Sequence, residues 1–113
     1  MPDLTSAVTP CWGVPATLIT AATGTGLTAS QWFALQNTRV LNYFTSGTYS
    51  VCTVDLERST DSGATWVAMV GQTGIDIYAA PNGTFDCPTG AVYRLEVKTF
   101  TGTSVTLLGA VDQ

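Results

Sequence analysis

The chain has 113 residues and a net charge of −4 at pH 7, with 45% apolar residues, 11% charged residues and no histidine. This length suits one domain with a substantial core. The four cations, Arg39, Arg58, Arg94 and Lys98, are scattered along the sequence. Nucleic acids and anionic membrane surfaces require clustered cations, so the composition argues against both as partners.

The residue types favour an all-β fold. Twenty residues are Thr, which suits strands, and 11 are Gly, which marks turns. The apolar runs are short, and none reaches the roughly 18 residues that a transmembrane helix needs. We predict an antiparallel β-sandwich of about seven or eight short strands over residues 31–113, preceded by an extended arm over residues 1–30.

The predicted N-terminal arm carries one charged side chain and several prolines. We expect a short strand at Ala16–Ala21 and irregular structure elsewhere in the arm. An arm with no charge after Asp3 that holds Trp12 buries too little surface by itself, so it needs a domain or a neighbouring subunit to pack against. Trp12, Pro10 and Pro15 are therefore the candidate subunit-contact residues.

Two apolar segments begin the predicted domain, Gln31–Leu35 and Thr38–Phe44. A helix over Ala29–Phe44 with Ser30 as its N-cap is the alternative, but the aromatic and β-branched content favours strands. Ser46-Gly47 is expected to turn the chain into the next strand.

The segment Thr48–Val70 is predicted to form a hairpin around which the domain is organised. Its first strand alternates, with Cys52, Val54 and Leu56 directed inward. Residues 59–63 are turn formers, and the strand Ala64–Val70 is expected to return with Trp66 and Val70 inward. The outward carboxylates Asp55 and Glu57 are typical of a solvated sheet face, although paired carboxylates also serve acid–base catalysis when burial separates their pKa values.

The C-terminal part continues the strand pattern. Turns are predicted at Gly71–Gly74 and Thr101–Thr103, and a strand at Ile75–Tyr78 with a short extension at Thr84–Cys87. The clearest strand is Ala91–Phe100, whose Tyr93, Leu95 and Val97 face inward, and a last strand covers Ser104–Val111 with Val105 and Leu107 inward. If Ala91–Phe100 lies beside the first strand of the hairpin, Arg94 and Lys98 face Asp55 and Glu57.

The three cysteines, Cys11, Cys52 and Cys87, predict free thiols, because no signal peptide precedes them. Cys52 is expected to be a small core residue. A disulfide between Cys11 and Cys87 is the open alternative. Without histidine or a CxxC pair, a zinc site is not expected, and no cofactor is predicted.

The turn Ser59-Thr60-Asp61-Ser62-Gly63-Ala64-Thr65-Trp66 resembles the Asp-box of sialidases and related β-propellers. In that family the motif is a structural turn. We accordingly assign Ser59, Asp61, Gly63, Thr65 and Trp66 to a structural turn, in which Asp61 accepts hydrogen bonds from turn amides and Trp66 packs under the hairpin. One copy cannot form a propeller, and the catalytic residues of sialidases have no counterpart, so we do not expect that activity.

Two segments, the first of which includes this turn, resemble small virion proteins of tailed bacteriophages. They are LERSTDSGATW, within Gly47–Trp66, and YRLEVKTFTGTSVTLLG, within Val92–Gly109. The resemblance implies a non-enzymatic structural role in the virion, after synthesis in the host cytoplasm. We expect a capsid decoration or cement protein, with the major capsid protein or another virion protein as partner and a homo-oligomer, most plausibly a trimer, as the assembly.

Two alternatives stay open at this point. A carbohydrate-binding module would use exposed aromatic side chains such as those of Trp12, Trp32 and Trp66. A tail-tube or adaptor subunit of the virion is the other, because the recurring segments do not identify one position in the particle.

Overall fold

Two 20-residue strands form the centre of the fold. A computed structural model describes residues 9–10, 15–35 and 38–111, and these residues contain strands and no helix. The strands are β1 (Ala16–Ala22), β2 (Val40–Ser59), β3 (Val67–Ala68), β4 (Ile75–Asp76), β5 (Asn82–Asp86) and β6 (Val92–Val111). The all-β prediction is confirmed for this part of the chain, and the alternative helix over residues 29–44 is wrong.

All six strands belong to one antiparallel sheet. Its main path runs β1-β6-β2-β3, and β4 and β5 also pair with β2. The ladder between β2 and β6 extends from Leu41 opposite Val111 to Ser59 opposite Val92. The described residues thus form one sheet of six strands, in which two long strands stand where four short ones were expected.

Glycines bend the two long strands where turns were predicted. The expected turns at Ser46-Gly47 and Thr101–Thr103 are wrong, since β2 and β6 continue through both positions. Gly47 has φ 122° and Gly102 has φ 151°, and the ladder shifts register between Thr48 and Val51. A glycine in a strand often marks a bulge or a bend, and that is its role here.

Residues from both sides of the bend contribute to one core. From one half come Leu41 and Tyr43 on β2 and Val105 and Leu107 on β6, and all are buried. The other half supplies the remaining inward positions of the two strands, and one continuous cluster contains both sets. The predicted alternation is confirmed for Cys52, Val54, Leu56, Tyr93, Leu95, Val97, Val105 and Leu107.

The strand predicted at residues 16–21 is confirmed as β1, but it is part of the domain. It pairs with β6, and Leu18 and Ile19 are fully buried in the common core. The following segment is also attached, since Gly26 pairs with Val97. Residues 16–30 therefore do not form an extended arm.

The predicted strand at Gln31–Leu35 is reduced to one bridge, between Phe33 and Tyr93. Phe33 is fully buried, and its ring stacks on that of Tyr93 with centroids 5.8 Å apart. Gln31 N also donates to Leu18 O at 2.9 Å, so the segment is attached to both β1 and β6.

The strands after the hairpin turn are shorter than predicted or displaced. The predicted Ala64–Val70 is reduced to β3, and Val70, which was expected inward, is 99% exposed. A tight turn causes this, because Gln72 N donates to Met69 O and lifts Val70 off the sheet.

The strand predicted at Ile75–Tyr78 ends at Asp76, whose carboxylate accepts hydrogen bonds from the amides of Tyr78 and Ala79. The short extension predicted at Thr84–Cys87 is β5, at residues 82–86.

We expect Gly47→Ala to lower the free energy of unfolding by about 2–4 kcal/mol, because a side chain disfavours positive φ and overpacks a filled site. A Cβ atom at residue 47 would lie 2.4 Å from the carbonyl oxygen of Ser104. Urea denaturation measures the change. Gly24→Ala is the control, since a Cβ atom there meets nothing within 4 Å. Equal unfolding midpoints for the two variants would contradict the role assigned to the bend.

Candidate functional site

The turn after β2 is held by two side chains. Ser59 is buried, its Oγ donates to Asp61 Oδ1 at 2.7 Å, and the same Oγ accepts from Gly63 N at 2.8 Å. Asp61 Oδ1 also accepts from Thr65 N at 2.8 Å. Asp61 therefore accepts a turn amide as the sequence predicts, while Ser59 satisfies the buried amide of Gly63.

Two consecutive residues of this turn have left-handed backbones. Gly63 has φ 90° and Ser62 has φ 61°. Gly63 also packs directly on Trp32, because a Cβ atom at residue 63 would lie 2.1 Å from Cη2 of that ring. Residue 63 therefore has to be glycine for two reasons: its φ is positive, and a side chain would clash with the Trp32 ring.

Trp66 lies between an aromatic ring and a guanidinium group. Its Nε1 donates to Gly63 O at 3.0 Å, and its ring meets the edge of Trp32 with centroids 5.1 Å apart. Arg94 Cζ lies 4.2 Å from the Trp66 ring centroid. Trp66 itself is half-buried. Trp32, the other tryptophan of this cluster, is buried and only 3% exposed.

The carboxylates considered for catalysis serve as structural partners. Glu57 Oε1 binds Arg94 Nε at 2.5 Å, and the two residues are directly opposite in the ladder. Asp55 Oδ1 accepts from Gly74 N at 2.7 Å. The predicted facing of Arg94 and Glu57 is confirmed, whereas Lys98 pairs with Glu96 at 3.6 Å on its own strand.

A small cavity lies beside this cluster. It has a volume of about 320 Å³ and is lined by Leu27, Thr28, Ser30, Trp32 and Arg94. The Ser30 hydroxyl donates to the carbonyl oxygen of Leu95, so it is already used. Sequence reasoning missed this cavity because its walls come from two segments more than 60 residues apart.

The two described cysteines, Cys52 and Cys87, are free and fully buried. Burial raises the pKa of Cys52 to about 11 and that of Cys87 to about 12. At neutral pH both are thiols rather than reactive thiolates. Cys52 is a core residue as predicted, and Cys11, the other half of the open disulfide alternative, lies outside the described residues.

The structure describes two of the three predicted subunit-contact residues. Pro10 is buried and Pro15 is exposed. Trp12 lies outside the described residues. In residues 9–10, 15–35 and 38–111 no group of acidic or cysteine side chains is arranged to hold a metal ion, and no helix is long and apolar enough to cross a membrane.

Asp61→Asn should make the unfolding free energy less dependent on pH. The hydrogen bond from Ser59 and then the one from the Thr65 amide lower the pKa of Asp61. A lowered folded-state pKa stabilises the fold above the unfolded-state value, and this contribution is lost as the pH falls through the folded-state value. The wild type should therefore lose more stability than Asp61→Asn on acidification from neutral pH, as measured by urea denaturation. Thr60→Ala is the uncharged control, and parallel pH profiles of wild type and Asp61→Asn would refute the assignment.

Ser62→Gly should raise the free energy of unfolding by about 0.5–1 kcal/mol. Relief of a left-handed conformation gains about 1–2 kcal/mol, and the extra freedom of the unfolded glycine offsets about 0.4–1 of it. Ser46→Gly, within the extended part of β2, should instead destabilise the fold. Thermal unfolding of both variants tests the contrast, and a loss of stability in both would argue against strain at Ser62.

No protein-family model matches the chain, and neither a curated protein nor a solved structure matches it.

Proposed function

We propose that the chain is a non-enzymatic virion structural protein, with capsid decoration or cementing of a tailed-phage head as the favoured role. The observation that carries this proposal is the pairing of the two phage-like segments. Leu56-Glu57-Arg58 of the first lies directly opposite Leu95, Arg94 and Tyr93 of the second. The segments thus meet as neighbouring parts of one sheet.

The contacts between these segments give the resemblance a physical meaning. Glu57 binds Arg94, and Arg94 lies on the ring of Trp66. Each of these side chains belongs to the recurring phage-like pattern. A charged pair that is covered by an aromatic ring fixes the register of the two strands and anchors the hairpin turn.

Hydrogen bonds of the carboxylates within the fold, and burial of the thiols, support a role without catalysis. The carboxylates of Asp55, Glu57 and Asp61 accept main-chain or side-chain hydrogen bonds within the fold. Both described cysteines are buried thiols. A cement protein needs no reactive group, since binding to the assembled shell stabilises that state by mass action.

A stiff, two-layered sheet would suit docking on a shell, and we retain the sandwich as part of the proposal. Dividing β2 and β6 at their glycine bends would give eight strands instead of six, and residues from both sides of the bends contribute to one core, which supports this proposal. The proposed partner is the major capsid protein or another virion protein. The proposed assembly is a ring, with a trimer favoured and Trp12 at the contact between subunits.

The carbohydrate-binding alternative has weaker support from the geometry. Sugar-binding platforms need an open aromatic face, but Trp32 is 3% exposed and the Trp66 ring is covered by Arg94. Tyr78 is 54% exposed and Phe44 39% exposed, so these rings would have to provide a platform instead. A tail or adaptor subunit stays open as another virion position.

Mass spectrometry of gradient-purified particles from the phage that encodes the chain tests the proposal. We expect the chain in the particles, at a copy number comparable with that of the major capsid protein for a decoration role. A copy number far below it would indicate a tail or adaptor position. Trp12→Ser should lower the occupancy, whereas Val70→Ser, at a 99% exposed residue, is the matched control. Absence from particles, together with glycan binding by the purified chain, would refute the virion role.

A further inference from the structure

The outer edge of β5 carries main-chain groups that point away from the sheet. β5 pairs with β2 on one side, and the hydrogen bonds from Thr45 N to Pro81 O and from Cys87 N to Arg39 O define the alternation. Residues 81, 83, 85 and 87 therefore direct their main-chain groups toward β2. Asn82, Thr84 and Asp86 direct theirs outward.

The Gln72 side chain covers one of these outward residues. Its Nε2 donates to Asp86 O at 2.8 Å, and its Oε1 accepts from Asp86 N at 2.6 Å. A side-chain amide offers the same donor and acceptor as a peptide group, so Gln72 takes the place of one residue of an additional strand. The loop that carries it is attached to β2, because Leu56 N donates to Gln72 O.

The rest of the edge is open within the described part of the chain. Asn82 and Thr84 are exposed, and within residues 9–10, 15–35 and 38–111 their outward main-chain groups have no hydrogen-bond partner. An open strand edge of this kind is a template for pairing with another chain. Gln72 therefore protects the edge at one end only.

The one charged side chain of β5 is paired with a cation. Asp86 binds Arg39 through two hydrogen bonds, at 2.7 and 2.9 Å. Asn82 on β5 also begins a row of uncharged residues that are paired across the sheet: Phe44 on β2, Leu108 on β6 and Thr17 on β1. In a chain of net charge −4, the pairing of Asp86 with Arg39 lets the β5 edges of two copies approach without repulsion between their Asp86 carboxylates.

We propose that the β5 edge binds the β5 edge of a second copy of this chain, antiparallel about a two-fold axis, and that Gln72 is the cover that must be displaced. A two-fold contact is self-complementary, so the outward donors of one copy meet the acceptors of the other. The two sheets then continue as one through Asn82, Thr84 and Asp86, whose main-chain groups Gln72 must first release. This contact is separate from the subunit contact proposed at Trp12, and it does not depend on a role in virions.

Sedimentation velocity over a concentration series tests the proposal with two variants. Thr84→Pro removes the outward N–H group and leaves the bonds to β2 intact, so it should abolish the association step. Gln72→Ala removes the competing amide and should tighten association about tenfold or more, since it frees two hydrogen-bonding groups at each edge. Combining the two changes should again abolish the step.

Hydrogen exchange identifies the surface involved. In the wild type and in Gln72→Ala, the Asn82 and Thr84 amides should exchange more slowly at high protein concentration than at low concentration. Thr73→Ala, next to Gln72, is the matched control and should behave like the wild type. If Thr84→Pro does not fold, Thr84→Lys replaces it, since like charges across the two-fold axis also block pairing.

The proposal is overturned if all variants associate equally, or if the Asn82 and Thr84 amides stay unprotected at high concentration. It is also overturned if Gln72→Ala remains monomeric but binds an extended peptide of another protein at this edge. In that case the edge would serve a different partner.

Discussion

The pairing of β2 with β6 is the constraint on which the rest of the structure depends. The other four strands attach to one of these two, and the inward residues of β2 and β6 form a large part of the core. The two strands are distant in sequence, with Val40–Ser59 opposite Val92–Val111. Their ladder therefore has to overcome the entropy of closing long loops, and burial of a shared apolar core offsets that cost.

The turn at residues 59–66 connects this ladder to the core. Ser59 and Asp61 satisfy the turn amides, while Gly63 lies against the buried ring of Trp32. Trp66 then covers Arg94, which binds Glu57 across the ladder. One cluster therefore fixes the turn, the register of the two long strands and the position of the segment before β2.

Charge pairing and edge protection shape the surface. Arg39, Arg94 and Lys98 each lie beside a carboxylate, from Asp86, Glu57 and Glu96 respectively. Such pairs contribute little stability where they are exposed. A protein with so few charges must protect its sheet edges by other means, as the Gln72 amide does at Asp86.

The sequence by itself determined the all-β class, the strand at β1, the inward residues Cys52, Val54 and Leu56 of β2 and the inward residues of β6 from Tyr93 to Leu107, because a two-residue period is visible in local order. It also indicated the turn at Ser59–Trp66, whose hydrogen bonds join residues at most four apart. Only the tertiary structure decided that Gly47 and Gly102 bend strands instead of ending them, because a positive φ suits a bulge as well as a turn. It alone placed Trp32 under Gly63, lifted Val70 off the sheet and brought Gln72 to the edge of β5. Each of these depends on which distant segments become neighbours, and no local pattern encodes that.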